Sequence, residues 1–100
     1  MIDFARLTGF QWDDGNARKS ADKHGVSQAE AEQVFFGGPL LVAGESLHVL
    51  AELRFHALGV TDAGRRLHVA FTLREETTRI RVISARDMHR KERAHYEQEV

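Results

Sequence analysis

The C-terminal part of the sequence concentrates basic side chains in one short stretch. Six of the fourteen Lys and Arg residues fall between positions 79 and 93: Arg79, Arg81, Arg86, Arg90, Lys91 and Arg93. Guanidinium groups stay charged and hold phosphate oxygens through paired hydrogen bonds, so a cluster of them could bind a phosphodiester backbone and stabilise developing charge. A solvated polar surface explains the same pattern without a ligand.

Two further pairs of side chains could transfer protons. Lys23 and His24 stand at the end of a predicted helix, where a histidine can act as acid or base near neutral pH and a lysine can hold a phosphate. Glu92 and Tyr96 are four residues apart, so a carboxylate and a phenol share one helix face beside Arg93. Both pairs also have structural explanations, as a helix C-cap and as a helix-surface contact.

Several kinds of site lack their sequence motif. The chain has no cysteine, no HExxH or HxxxH pair, no Walker-type phosphate loop, no GxGxxG and no GxSxG. We therefore expect neither a metal ion nor a cofactor. Phosphate chemistry would have to use the hydroxyl group of the substrate itself as the nucleophile.

Length and charge are those of one small domain, residues 1–100. The hydrophobic content of 42% and charged content of 29% are typical of a globular chain. The net charge of −1 argues against binding nucleic acid through bulk attraction alone. No segment approaches the roughly 20 apolar residues that span a bilayer, and no signal peptide is evident, so we expect a cytoplasmic protein.

The N-terminal half predicts two helices. An aspartate at position 13 or 14 is placed to cap a helix over about 15–24, with Gly25 free to close it. Ser27 and Glu30 form a capping box for a second helix, which the sequence "FGGP" ends.

From Leu40 onward the hydrophobic pattern has a period of two. The segments "ELRFHALGV", "LHVAFTLR" and "TRIRVISA" each direct apolar side chains to one face and polar ones to the other. With the short segment "PLLVAG", they predict an antiparallel sheet of three to four strands. The outer face of this sheet gathers Arg54, His56, His68, Arg74, Arg79 and Arg81. A C-terminal helix capped by Asp87 completes an α+β fold.

Three segments in combination resemble a known family. "FQWDDGNARKSADKHGVSQAEAEQVF", "RFHALGVTDAGRRLHVAFT" and "RIRVISARDMHRKERAHYE" are similar, over about residues 10–97, to the BrnT toxins of type II toxin–antitoxin systems. The resemblance implies a RelE-like fold, two helices packed on an antiparallel sheet, and a ribonuclease that cuts RNA and arrests translation. It also implies a hetero-oligomer with a BrnA-like antitoxin, through which alone the complex contacts promoter DNA.

The resemblance also implies a set of site residues. The positions that match motifs of the family are Lys23, His24, Arg54, Arg81, Arg86, Glu92 and Tyr96. One position departs from the usual Phe-Glu-Trp-Asp start of the family, because Gln11 replaces the acid. If that acid takes part in proton transfer, the activity of this chain is reduced or its base lies elsewhere.

These observations lead to one interpretation and two alternatives. We interpret the chain as a metal-independent endoribonuclease in which an RNA 2′-hydroxyl attacks the adjacent phosphate. The three arginines of the set bind the phosphate, and Lys23, His24, Glu92 or Tyr96 supplies the proton transfers. The alternatives are a catalytically weak protein that mainly binds an antitoxin-like partner, and an RNA-binding module without cleavage.

Overall fold

The computed structural model describes the backbone of residues 2–47 and 53–100 and the side chains of residues 2–42 and 53–100. Its elements are, in chain order, a 3-10 turn at Phe4–Arg6, β1 at Gly9–Phe10, α1 at Asp14–Ala17, α2 at Lys19–His24, α3 at Gln28–Gln33, β2 at Leu41–Leu47, β3 at Leu53–Val60, β4 at Arg66–Arg74, β5 at Arg79–Asp87 and α4 at Arg90–Glu99. The strands form one sheet in the order β1-β5-β4-β3-β2. β1 runs parallel to β5, and the other neighbours are antiparallel.

The predicted α+β class is confirmed, but the number of elements differs from the prediction. The sheet is mixed and has five strands, because the two residues of β1 pair in parallel with Arg79 and Ile80 at its edge. Three short helices precede β2 instead of two, since Arg18 interrupts the helix expected over about 15–24. The buried side-chain amide of Asn16 ties α1 to the sheet by donating to a carbonyl oxygen of β5.

The predicted caps of the N-terminal helices are confirmed. Asp13 Oδ1 accepts a hydrogen bond from the amide of Gly15, and Ser27 Oγ accepts one from the amide of Glu30. Gly25 closes α2 with a φ of +66°, a left-handed conformation that glycine adopts without steric cost. These local signals fix where the helices begin and end.

The core lies between the helices α1 to α3 and one face of the sheet. Trp12 borders it, and its Nε1 donates to Glu32 Oε2 at 2.7 Å, which links the start of α1 to α3. The ring of Phe71 lies 5.1 Å from that of Phe35 and 5.5 Å from that of Phe55. The core residues of the strands alternate as predicted up to Val82, and they are Phe55, Ala57, Leu67, Val69, Phe71, Ile80 and Val82. Ala85 also belongs to the core, three positions after Val82.

The opposite face of the sheet, here called the open face, packs against α4 at one end. There Tyr96 of α4 packs with Leu58 and Met88, and Tyr96 Oη donates to the carbonyl oxygen of Pro39 at 2.5 Å. By strand alternation and register, the open face of β3 to β5 carries Arg54, His56, Leu58, Arg66, His68, Ala70, Thr72, Arg74, Arg79, Arg81, Ser84 and Arg86.

A β-bulge in β5 decides which arginines share the open face. Ile83 is the extra residue, where the register with β4 shifts between Ala70 and Phe71. Arg81 and Arg86 are five positions apart, so strict alternation would direct them to opposite faces. The bulge restores them to one face.

The C-terminal helix begins later than predicted. His89 is the N-cap of α4, whereas Asp87, the predicted cap, is the last residue of β5 and pairs with Leu67. The Asp87 carboxylate accepts two hydrogen bonds from the guanidinium of Arg65, at 2.7 and 3.1 Å. The carboxylate of Asp87, which the local pattern assigns to the helix cap, therefore binds Arg65, a residue distant in sequence.

The packing of α3 against β3 generates a stability prediction. A Cβ atom at Gly59 would lie 2.5 Å from Val34 Cγ1, so we expect Gly59→Ala to lower the free energy of unfolding by about 1–3 kcal/mol. Urea denaturation measures the change. Gly37→Ala is the control, because its Cβ would meet no atom closer than 3.4 Å. Equal stability of both variants would contradict the close approach of α3 to β3.

Candidate active site

Two histidines of neighbouring strands meet on the open face. His56 of β3 and His68 of β4 lie diagonally across the ladder, because His56 pairs with Ala70 and His68 with Leu58. His56 Nδ1 is 3.2 Å from His68 Nε2, and the ring centroids are 5.2 Å apart. The two imidazoles therefore form a hydrogen-bonded pair.

A carboxylate and a guanidinium border the histidine pair. Glu92 Oε1 and Oε2 accept hydrogen bonds from Arg86 Nη1 and Nη2 at 2.8 and 3.0 Å. Glu92 Oε1 also accepts from the amide of His89 at 2.8 Å, which fixes the carboxylate at the start of α4. Glu92 Oε2 lies 3.9 Å from His68 Nε2. Because Arg86 is opposite His68 in the ladder, the bidentate pair joins α4 to the sheet beside the imidazoles.

The surroundings determine the charge of each group. The hydrogen bonds from Arg86 lower the pKa of Glu92 to about 2, and the amide of His89 acts in the same direction. Burial lowers the pKa of His68, and the positive charge of Arg86 lowers it further, although Glu92 opposes them. Near neutral pH the site thus holds an ionised carboxylate, its guanidinium partner and a neutral His68.

The histidine pair and Glu92 line a cavity of about 480 Å³ that is open to solvent. The other lining residues are Leu58 of β3 and Lys91 and His95 of α4. Arg54 precedes His56 by two residues on the same face of β3, and its guanidinium forms no hydrogen bond or ion pair with the described side chains. A second cavity of about 290 Å³ beside β1 is lined mainly by apolar residues, and none of its lining side chains is titratable.

A separate charged group lies at the β1 edge of the sheet. Arg81 Nη1 and Nη2 donate to the two carboxylate oxygens of Asp13 at 2.9 and 3.1 Å, and Nη1 also donates to Gln11 Oε1 at 3.1 Å. The bonds from Arg81 lower the pKa of Asp13. Arg81 pairs with Thr72, four residues along β4 from His68, so this group lies about 13 Å from the histidine pair.

Gln11 contacts the guanidinium of Arg81 and not the histidine pair. A glutamate at this position would place a second carboxylate on Arg81 beside Asp13. The glutamine therefore leaves Asp13 as the carboxylate that contacts Arg81 among the described residues at this edge of the sheet.

The structure brings together some of the predicted site residues and not others. Arg86 and Glu92 are in direct contact, and Arg54 is on the same face nearby. Lys23 and His24 end α2 in the helical layer, where the carbonyl oxygen of His24 accepts from Arg65 at 3.3 Å. They lie on the other side of the sheet from the cavity.

Tyr96 is on α4 with Glu92, but its phenol points away from the cavity. The side chain is buried, its hydroxyl donates to the carbonyl oxygen of Pro39, and burial raises its pKa. The hydroxyl proton is thus already engaged in a structural hydrogen bond.

His56 and His68 are the site residues that the sequence predicts on the outer face without assigning them a role. The period-two pattern indicates their face, but their contact depends on the register between β3 and β4. The signal that could single them out is a histidine at a polar position of two neighbouring strands.

Two kinds of feature are absent from the described ranges. No group of three or more His, Cys, Asp or Glu side chains within them is placed to bind a metal ion. No helix within them has the length and apolar character required to cross a membrane.

The fold and the cavity define a small α+β domain that carries an acid–base cluster on the open face of its sheet. The sequence model of the family described as "Ribonuclease toxin, BrnT, of type II toxin-antitoxin system" matches residues 12–92. Because the match spans most of the chain, the chain belongs to the BrnT family, whose members are ribonuclease toxins that pair with an antitoxin. No curated protein matches the chain at a significant level.

The pairing of Arg86 with Glu92 generates a prediction on stability and pH. Glu92 has a lower pKa in the folded protein than its ordinary value of 4.5, so its ionised form stabilises the folded state at pH values above 4.5. This contribution is lost as the pH falls from 4.5 towards 2. We expect Glu92→Gln to reduce the free energy of unfolding at pH 7 by about 1–2 kcal/mol, after allowance for partial exposure of the side chain.

Urea denaturation of the parent and the variant between pH 2 and 7 tests this expectation. The two stability curves should converge between pH 4.5 and 2. Glu97→Gln is the control, because Glu97 forms an ion pair with Arg66 through a side chain that is 52% exposed. A constant difference between parent and Glu92→Gln down to pH 2 would contradict the assigned pKa.

Proposed function

We propose that this chain is a metal-independent endoribonuclease toxin that cleaves RNA on the open face of its sheet. The 2′-hydroxyl of the RNA attacks the adjacent phosphate, and the products are a cyclic phosphate and a 5′-hydroxyl. The observation that carries the proposal is the solvent-open cavity lined by His56, His68 and Glu92 in a member of a ribonuclease toxin family. Cleavage of RNA arrests translation, and this activity belongs in the cytoplasm.

Cations on both sides of the cavity support phosphate binding. Arg54 lies two residues before His56 on β3, and Lys91 lines the cavity from α4. Neither forms an ion pair within the described ranges, so both are available for phosphate oxygens. Arg86, which is hydrogen-bonded to the carboxylate of Glu92, stabilises the negative charge that develops on the phosphate. Arg81 binds the RNA backbone further along the sheet.

The pairing of Arg81 and Arg86 with carboxylates favours a second function for the same surface. Asp13 and Glu92 already compensate the two guanidinium groups in the free protein. An acidic segment of a partner can replace these carboxylates as readily as RNA can. We therefore propose that a BrnA-like antitoxin binds the open face in a hetero-oligomer, and that promoter DNA is contacted only through the antitoxin.

Cleavage in the presence of EDTA tests the proposed reaction. We expect the purified chain to cut RNA in EDTA and to leave a DNA strand of the same sequence intact, because only RNA supplies the 2′-hydroxyl. Gel electrophoresis and mass spectrometry of the fragments identify the cyclic phosphate. Arg86→Gln, purified in the same way, controls for contaminating ribonuclease. Cleavage that requires an added divalent metal would contradict the mechanism.

Removal of the Arg54 guanidinium tests phosphate binding. We expect Arg54→Gln to lower the single-turnover cleavage rate by at least about tenfold, because a charge that stabilises the phosphate in the transition state is lost. Arg18→Gln is a matched control, since Arg18 is exposed in the helical layer. Equal rates for the two variants would remove Arg54 from the site.

A further inference from the structure

The proposed reaction requires a group that removes the proton from the 2′-hydroxyl, and the carboxylate and phenol near the cavity are poorly suited to this task. Glu92 is held by two hydrogen bonds from Arg86 and one from the amide of His89, and its pKa of about 2 makes it a weak base. The hydroxyl of Tyr96 is bound to the carbonyl oxygen of Pro39. The remaining titratable side chains of the cavity are Lys91 and three histidines, His56, His68 and His95.

His56 and His68 are distinguished from the other cavity residues by their direct contact. Two nitrogen lone pairs at 3.2 Å would repel, so one proton lies between His56 Nδ1 and His68 Nε2. The second proton of the neutral pair occupies an outer nitrogen, either His56 Nε2 or His68 Nδ1. When it occupies His68 Nδ1, the lone pair of His56 Nε2 is free to accept a proton from the cavity.

The two histidines have different surroundings, which gives them different roles. The side chain of His68 is only 13% exposed, and its Nδ1 is buried without a hydrogen-bond partner among the described residues. Substrate cannot approach this nitrogen directly. Both histidines are half-buried and line the cavity, but His56 has Arg54 two residues away on the same face, and its Nε2 is not used in the contact between the rings. His56 is therefore the histidine that can meet a bound ribose, and His68 supports it from the interior.

We propose that His56 is the catalytic base of the RNA cleavage reaction and that His68 is a positioning residue that orients the ring of His56. This inference rests on the proposed function. His68 fixes His56 through the hydrogen bond between the rings, and the carboxylate of Glu92, 3.9 Å from His68 Nε2, offsets the positive charge that the pair acquires. The pair thereby supplies the proton transfer that Glu92 and Tyr96 do not.

The chemical step balances without a cofactor. The 2′-hydroxyl proton moves to His56 Nε2 while the 2′-oxygen forms a bond to phosphorus. The bond between phosphorus and the 5′-oxygen breaks, its electron pair leaves with that oxygen, and water in the open cavity protonates it. The hydroxide that remains takes the proton from His56 Nε2, which restores the neutral pair and regenerates water.

This assignment predicts how the rate depends on pH. The base must be neutral, so the rate rises with pH through the titration of the pair and is constant above it. Burial lowers the pKa of His68, which favours the neutral form of this ring near pH 7. The charged or titratable groups that face the pair are Arg54 from β3, Arg86 from β5, and Lys91, Glu92 and His95 from α4.

Single-turnover kinetics of histidine variants test the inference. We expect His56→Gln and His56→Ala to lower the cleavage rate by about 100-fold or more and to abolish the rise of the rate with pH. Affinity should stay within about threefold of the parent. The affinity is measured with a fluorescent RNA that has the sequence of a cleaved substrate. A 2′-methoxy group replaces the attacking 2′-hydroxyl in this RNA, so it binds but is not cleaved. Circular dichroism verifies that each variant is folded.

The variants of His68 separate positioning from simple structural support. We expect His68→Ala to lower the rate and to move the midpoint of the pH profile, while His68→Gln, which keeps a hydrogen-bonding group near His56, recovers part of the rate. A structural role alone would leave the midpoint unchanged. His89→Ser is the matched control, because His89 is exposed at the start of α4 and serine is a good N-cap.

The outcomes distinguish this inference from the proposed function. If the parent cleaves RNA in EDTA and folded His56→Gln retains the parental rate and pH profile, His56 is not the base and the proposed function stands. An unchanged midpoint in folded His68→Ala would overturn the positioning role. Absence of cleavage by the parent overturns the proposed function and, with it, the assignment of the base.

Discussion

Strand β4 lies at the centre of the sheet, so its side chains must pack against the helical core on one face and carry polar groups on the other. The rest of the structure depends on this constraint. Leu67, Val69 and Phe71 are fully buried against the helical layer. His68 and Thr72 alternate with them and face the other side. A slip of one residue in the register of β4 would bury polar side chains in the core, so hydrophobic burial fixes the position of His68 as firmly as that of its neighbours.

Two of the arginines on the open face are paired with carboxylates. Arg86 and Arg81 each form two hydrogen bonds to a carboxylate, and the net charge of the chain is −1. Such pairs fix the geometry of α4 and of the β1 edge, and they limit the long-range attraction of a polyanion. Under the proposed function, recognition on this surface therefore requires that RNA or the antitoxin exchange places with carboxylates around guanidinium groups that are already held in place.

The sequence predicts the features of this protein that depend on near neighbours. The alternation of Phe55, Val69 and Phe71 and the caps at Asp13 and Ser27 follow from local periodicity and hydrogen bonding, and the structure agrees with them. The two residues of β1 are too few to show a period, and their pairing depends on the approach of β5. The bulge at Ile83 places Arg81 and Arg86 on the same face. A prediction that assumes strict alternation cannot include such a bulge.

The site illustrates the same division between local and long-range signals. Arg86 and Glu92 are six positions apart and belong to adjoining elements, and they meet in the structure. The four-residue spacing of Glu92 and Tyr96 indicates one helix face. The phenol of Tyr96 nevertheless packs with Leu58 and Met88 between α4 and the sheet. The contact of His56 with His68 requires the register of two strands whose pairing depends on the whole core.

The distribution of aromatic chromophores gives the two layers of this protein separate optical signals. The only tryptophan, Trp12, is hydrogen-bonded to Glu32 in the helical layer, and the only tyrosine, Tyr96, is buried where α4 meets the open face. Intrinsic fluorescence excited in the indole band therefore reports the packing of the helical layer. Near-ultraviolet absorbance of the phenol reports the docking of α4, so detachment of the helix that borders the cavity can be observed without a label while the core remains intact.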